Sequence, residues 1–399
     1  MENQKVECEK KHKNFGWIIM LVCGIILLIG GGVMVAVPFI LPKEARPDLK
    51  YPDLPSKKVD NNIIYSDLTG LPLATEAEKT APAFCVQTPN GLDGARPQVG
   101  MSEAGVVFEA IAEAGITRFA AIYQNPSSAV IGPIRSLRMY YLEWDTPFDC
   151  TIVHAGGAPD ALAAVGSGRY QDLSEDYAYM YRGNASSRWW NNLFTTSNYL
   201  KKFASDYGYD TSEIDGFRRL TPSESAQARI DSTVKERLII TEPAAGNTSE
   251  MAPKVTNVAV RFGGFSDFNV NYNYNAENNT YLRSFESGQA HEVYACPAED
   301  LGEVNPEGAC ELKQLAPAVV VTIKVHEELA AYDHYHEDIT TTGSGEAYIF
   351  QNGVAIAGTW RKDSAADQLK FYDANGAELA LAPGQTFVEA VPEYGSIDF

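Results

Sequence analysis

The sequence predicts an α+β protein anchored in a membrane. An α/β-type first extracytoplasmic domain is followed by a mostly antiparallel β second domain. Three observations carry this. A long uncharged apolar run lies near the N-terminus. The next stretch mixes β-branched apolar runs with helical patterns. The C-terminal part is a succession of strand-like runs broken by Asn-Gly turns. The length of 399 residues suits two folded domains at about 100–200 residues each. A hydrophobic content of 45% with 11% aromatics is enough for real cores. The formal net charge is -20. Such a surface repels phosphates, so no nucleic acid partner is expected.

Residues 1–14 read as a short cytoplasmic tail. Phe15 to Leu41, FGWIIMLVCGIILLIGGGVMVAVPFIL, contains no charge and exceeds the about 20 apolar residues that cross the hydrocarbon layer. Trp17 suits an interfacial anchor. No small-residue cleavage pattern follows, so a retained single span is expected rather than a signal peptide. Lys10, Lys11 and Lys13 precede the span and place the N-terminus inside. The bulk of the chain then lies outside the plasma membrane. Residues 42–60 carry four prolines among charges and read as a spacer.

The first domain is placed at 61–241. AFCVQT (83–88), ITRFAAIYQ (116–124) and CTIVHAGG (150–157) read as strands. Gly105–Gly115 fits a strand by its valines. It also fits a helix, on which Glu109 and Glu113 would stack. As a strand it still puts both carboxylates on one face. Helices are expected at Pro159–Val165, at Ser197–Tyr207 and at Pro222–Ile239. The last opens on a capping box, with Thr221 as cap and Glu224 reaching back.

The Gly/Pro/Ser/Thr-rich stretch Glu242–Pro253 marks a boundary, and the second domain is placed at 254–397. Its strands are NVAVRF, YLRSFE, AVVVTIKVHE, EAYIFQNGVAIAGTWRK, LKFYDANGAELAL and TFVEAVP. QNG and ANG are tight-turn signals, and the whole reads as a meander closed into a small sheet or barrel. NVNYNYNAENNTY reads as one exposed hairpin loop.

Four cysteines lie outside the membrane. An even number in an oxidising compartment points to bridges. Cys85–Cys150 and Cys296–Cys310 are the favoured pairings, against the alternative of four buried thiols.

GLPLATEAEKTAPAFCVQTPN, ARPQVGMSEAGVVFEAIAEAGITRFAAIYQ, IGPIRSLRMYY and IVHAGGAPDAL, with YLRSFESGQAH, GSGEAYIFQNGVAIAGTWRK and ALAPGQTFVEAVP, resemble the YerB-like bacterial lipoprotein family, domain of unknown function 3048. The resemblance spans Tyr65 to Pro392 and implies a cell-envelope location, without an activity. Two departures stand out. This chain has a span where the family's members carry a lipidated cysteine. It also has Asn191 before Asn192 where members have a His-Asn pair.

Several constellations could carry chemistry. In TIVHAGGAPDAL, His154 ends a strand, Gly156 and Gly157 leave backbone N–H groups unshielded, and Pro159 starts a helix. That is either an anion cradle or a plain turn. The arginines Arg96, Arg118, Arg135, Arg138, Arg169, Arg182 and Arg188 concentrate in the first domain. Arg118, Arg135 and Arg138 lie in the most motif-like segments and could fork onto a carboxylate or phosphate, or pair with acids inside the fold. Glu109 and Glu113 could serve as acid and base if their environments differ, or form structural salt bridges. YDHYHED would align His334, His336 and Asp338 on one strand face, as a metal site or as a solvated connection. Trp189 and Trp190 could stack on a sugar or fill a core.

No G-x-S-x-G, Walker loop or H-E-x-x-H occurs. No cofactor or resident metal is expected. The leading expectation is a membrane-tethered envelope protein that binds an anionic envelope ligand, cell-wall component or protein partner. Arg96, Arg118, Arg135, Arg138, His154, Gly156, Gly157, Arg188 and Asn192 would contribute. The alternative is a hydrolase or transferase on a cell-wall polymer, with Glu109, Glu113 and His154 as catalytic candidates.

Overall fold

Three strands of the first half are buried at nearly every position rather than at alternate ones. β1 (Ala83–Pro89), β2 (Val106–Glu113) and β3 (Ile116–Gln124) are buried along almost their whole length. Continuous apolar runs belong to strands covered on both faces. Gly105–Gly115, which fits either a strand by its valines or a helix by its Glu spacing, contains strand β2. The computed structural model describes residues 63–183, 191–229, 254–297 and 306–399. The expected tail, span and spacer at 1–60, the domain boundary at 242–253, Arg188, Trp189 and Trp190 lie outside them. Among the described residues no helix is long and apolar enough to cross a membrane.

After β3 come α1 (Met139–Asp145), β4 (Cys150–His154), α2 (Pro159–Ala164), β5 (Asp172–Ser174) and α3 (Ser197–Tyr207). The second half supplies β6 (Asn257–Arg261), β7 (Val270–Asn275), β8 (Thr280–Phe285), β9 (Glu292–Ala295), β10 (Glu311–Gln314) and β11 (Val319–Val325). It ends with β12 (Gly343–Gln351), β13 (Val354–Lys362), β14 (Lys370–Tyr372), β15 (Thr386–Pro392) and β16 (Ser396–Asp398). The fold is thus mixed α+β, mostly strands with few helices.

One sheet of ten strands runs β14-β13-β12-β11-β15-β2-β3-β1-β4-β5. Its first half has α/β character: β4 and β5 pair parallel, with α2 between them in sequence. β11 to β14 pair antiparallel. The expected closed meander does not form, because β15 leaves the hairpin series. It inserts parallel between β11 and β2. Both halves therefore share one sheet, and residues 62–399 form one compact unit.

The sheet is buried on both faces. One face packs Cys85, Phe108 and Ile122 against Tyr141 and Trp144 of α1. The other packs Val86, Phe119 and Phe387 against Val258, Tyr272 and Tyr281. The latter residues belong to a four-stranded sheet, β8-β7-β6-β16. NVNYNYNAENNTY is therefore not an exposed loop. It is the β7–β8 hairpin, with Tyr272 and Tyr281 buried, because alternate tyrosines face the core while asparagines face solvent.

Local signals behave as their chemistry dictates. The Thr221 hydroxyl accepts from the Glu224 N–H, and the Glu224 carboxylate accepts from the Thr221 N–H. The helix they open is described over 222–229. Asn352 and Gly353 adopt φ of 54° and 76° in the β12–β13 turn, as a tight hairpin requires. A Cβ on Gly353 would approach Tyr274 to 2.6 Å. Both favoured disulfides are formed. Cys85 and Cys150 bridge neighbouring strands at a Cα separation of 5.7 Å, and Cys296 and Cys310 close a local loop at 4.4 Å.

Candidate functional site

The site begins with a break in alternation. The register of β2 on β3 shifts between Ile111 and Glu113, and such a bulge re-aims the side chains beyond it. Glu109 and Glu113 therefore do not share a face as expected. Glu109 points into the core, and Glu113 meets the arginines.

Glu109 is fully buried, as is Glu389 beside it in the register of β15 on β2. Two adjacent buried carboxyls need a cation, and the facing sheet supplies one. Arg283 of β8 reaches both Glu109 and Glu389, at 2.7 Å for the latter. It also donates to the Tyr272 hydroxyl and, at 2.8 Å, to His291 Nδ1. Nδ1 must then be unprotonated, so Nε2 carries the hydrogen donated to Gln98 Oε1 at 2.9 Å. Burial, with Arg283 and Arg96 nearby, holds the His291 pKa well below its usual value. Burial and the neighbouring Glu109 push the Glu389 carboxyl well above its own.

From Gln98 the network continues to Asn90, which lies buried at the base of a cleft. The Asn90 carbonyl accepts from Gln98 and from Arg96 Nε at 2.8 Å. Its amide donates to Thr117 at 2.8 Å and to Glu109 at 3.1 Å. Arg96 is held in place: its guanidinium stacks 4.0 Å from the Phe285 ring centroid and donates to the Asp267 carbonyl. Burial lowers its pKa to about 10.

Above Asn90 lies a cleft of about 430 Å³ between 89–93 of the first half and 265–268 of the second. That volume falls in the ~300–1,000 Å³ range of small-molecule sites. Glu113, Thr117, Arg118, Arg135 and Asn191 line it, with Leu92 and Phe265 as apolar walls. Arg118 is committed to Glu113 at 2.7 Å and to the Ser136 carbonyl at 2.8 Å. Arg138 pairs with the same carboxylate. Burial opposes the Glu113 charge, but Arg118, Arg138 and His336 outweigh it and hold the carboxyl below its usual 4.5.

Arg135 differs from both. Its backbone is pinned, its N–H donating to Gln87 and its carbonyl accepting from Ala155. Its guanidinium makes no hydrogen bond or ion pair among the described residues. It is half-buried at the cleft.

The His154 ring itself is taken up by the fold. His154 is fully buried, with Nε2 2.8 Å from Asp172 Oδ1 and Nδ1 2.7 Å from the Gly156 carbonyl. The Gly156 carbonyl also accepts from the Leu137 N–H, and the Ala158 N–H donates to the Leu137 carbonyl. Residues 135–137 run beside this turn and take up the Ala155 and Ala158 N–H groups through the Arg135 and Leu137 carbonyls. His154 does not line the cleft, so Glu109, Glu113 and His154 do not converge in one place. Asn192 accepts from Arg182 away from the cleft, whereas Asn191, lining it, donates to Asp93 at 2.9 Å. YDHYHED is a turn that runs into a short strand, Glu337–Ile339, so His334, His336 and Asp338 do not share one strand face. His334 has φ 54°, and Asp333 caps the N–H groups of Tyr335 and His336. Among the described residues no group of three His, Cys, Asp or Glu is placed to hold a metal ion.

Sequence reasoning missed Arg283, Glu389 and the Gln98–His291 relay. A usable signal existed. Each charge interrupts an otherwise apolar strand run, as in VVFEAIA, YLRSF and TFVEAV, and a charge there is buried and paired.

Known proteins share this sequence and fold. The model for the N-terminal domain of "Protein of unknown function (DUF3048)" matches residues 68–210, and the model for its C-terminal domain matches 258–388. A Bacillus subtilis (strain 168) protein named "Putative lipoprotein YerB" is 26% identical over 334 residues, covering 83% of this chain and 87% of that one. The crystal structure of YerB protein from Bacillus subtilis superposes with a TM-score of 0.64 at 24% identity, covering 84% of this chain and 100% of that one. The chain therefore belongs to the YerB-like DUF3048 family, with both of its domains in order.

Proposed function

We propose that this is an extracytoplasmic, envelope-tethered protein that binds an anionic group in the Arg135 cleft. Tethering would run through the apolar stretch Phe15–Leu41. Two disulfides suit an oxidising compartment, and a family relative is named a lipoprotein. One observation carries the binding reading. Arg135 is a pinned, half-buried cation whose guanidinium has no partner among the described residues, while Arg118 and Arg138 are spent on Glu113. A charge-assisted bond to a carboxylate or phosphate contributes about 1.5–3 kcal/mol.

The test is calorimetric titration with carboxylate- and phosphate-bearing envelope fragments. A fragment that binds the wild type should bind Arg135→Gln roughly 10- to 100-fold more weakly. Equal binding by the two proteins would remove Arg135 from the site. Protease accessibility on intact cells checks the orientation, with digestion of the folded part expected from outside.

A further inference from the structure

The cleft carries both signs of charge, and this narrows its occupant. Asp267 lines it as an exposed residue. Its carboxylate makes no hydrogen bond or ion pair among the described residues, although its field reaches Arg96. Asp93, another lining carboxylate, is held by Asn191. A polyanion such as a phosphate polymer would carry repeated negative charge past Asp93 and Asp267, on a chain of net charge -20. Like charges brought together are disfavoured, and this acts as selection against such ligands. A single carboxylate can reach Arg135 without that repulsion, and an ammonium on the same ligand is drawn to the acidic side. Leu92 and Phe265 are 62% and 59% exposed. Large apolar side chains left open at a cleft mark a surface that contacts an apolar group.

We propose that the cleft binds a short zwitterionic peptide, whose carboxylate meets Arg135, whose ammonium faces Asp267, and whose apolar side chain lies between Leu92 and Phe265. This rests on the Arg135 reading and adds the ligand class to it. The floor suits such recognition. Asn90 and Thr117 are locked by their bonds to Glu109, Gln98 and Arg96, so a ligand meets a preorganised surface.

Calorimetry with four probes tests it: alanyl-leucine, N-acetyl-alanyl-leucine, alanyl-leucine amide and inorganic phosphate. Alanyl-leucine should bind, and each blocked form should bind at least tenfold more weakly. Asp267→Asn should abolish the preference for the free ammonium and keep the preference for the free carboxylate. Arg135→Gln should do the reverse. Phosphate binding more tightly than alanyl-leucine, lost in Arg135→Gln, would overturn the peptide assignment and leave the anion site standing. Binding of no probe, or binding of alanyl-leucine and phosphate unaffected by Arg135→Gln, would overturn both.

Discussion

Replacing Arg283 with methionine removes the cation that lets Glu109 and Glu389 sit side by side in the core. All three side chains are fully buried. Methionine fills similar space without charge, so the main change is electrostatic. Removing one partner of a buried ion pair costs about 3–5 kcal/mol, because the remaining charge stays desolvated and uncompensated. The loss of two hydrogen bonds to charged groups brackets the same range. Against a total stability of about 5–15 kcal/mol this is large. With a urea m-value of about 2–3 kcal/mol/M, the unfolding midpoint should fall by roughly 1–2 M. Trp144, buried and stacked 5.3 Å from Phe108, provides the fluorescence signal.

The loss should depend on pH with a definite sign. Burial and the neighbouring Glu109 already push the Glu389 carboxyl up, and without Arg283 the charge that opposes that shift is gone. The folded state then binds more protons, so the variant loses further stability as pH rises and recovers it on acidification toward about 4.5. The gap from wild type should therefore be smaller at pH 5 than at pH 8. Adding Glu109→Gln and Glu389→Gln to Arg283→Met should restore much of the loss, since the uncompensated charges go too. A gap below about 1 kcal/mol at pH 8, or one equal at both pH values, would refute the pairing of Arg283 with these carboxyls.

Further outcomes follow from other parts of the structure. Loop-closure entropy predicts a cost of about 4 kcal/mol for Cys85→Ala/Cys150→Ala and about 3 kcal/mol for Cys296→Ala/Cys310→Ala. These rest on separations of 65 and 14 residues, and the ordering of two denaturant midpoints decides them. His154→Ala should cost about 1–3 kcal/mol, because Asp172 and the Gly156 carbonyl each lose a partner. An unchanged midpoint would show that the ring's two bonds add nothing. The Glu113 pKa lies below 4.5 in the fold, so its stabilisation is present above that value and lost as pH falls through the folded pKa. Glu113→Gln should therefore flatten the acid limb of the stability curve below about pH 4.5, as read by thermal unfolding across pH.

Much of this protein is written in short-range chemistry. The Thr221–Glu224 cap, the Asn352–Gly353 turn, the helix at Ser197–Tyr207 and most strands follow from residues a few positions apart. Cysteine count and placement favour the Cys85–Cys150 and Cys296–Cys310 pairing, and the fold forms it. Glu109 and Glu113 illustrate the limit: alternation places them together, and one bulge separates them. Likewise the turn after His154 offers N–H groups to a ligand, yet the Arg135 and Leu137 carbonyls take those of Ala155 and Ala158. A motif states which N–H groups are available, but distant backbone decides whether they are taken.

Taken alone, the sequence determined the local elements, the acidic balance and the family, because each rests on neighbouring residues or on composition. Only the tertiary structure decided that β15 would join the two halves, that Arg283 would neutralise Glu109 and Glu389 from 174 and 106 residues away, and that Arg135 alone of the three expected arginines would face the cleft without a partner. For the charges the physical reason is the same. Burial makes a charge dependent on whichever opposite charge the fold brings near it, and that pairing has no period in the sequence.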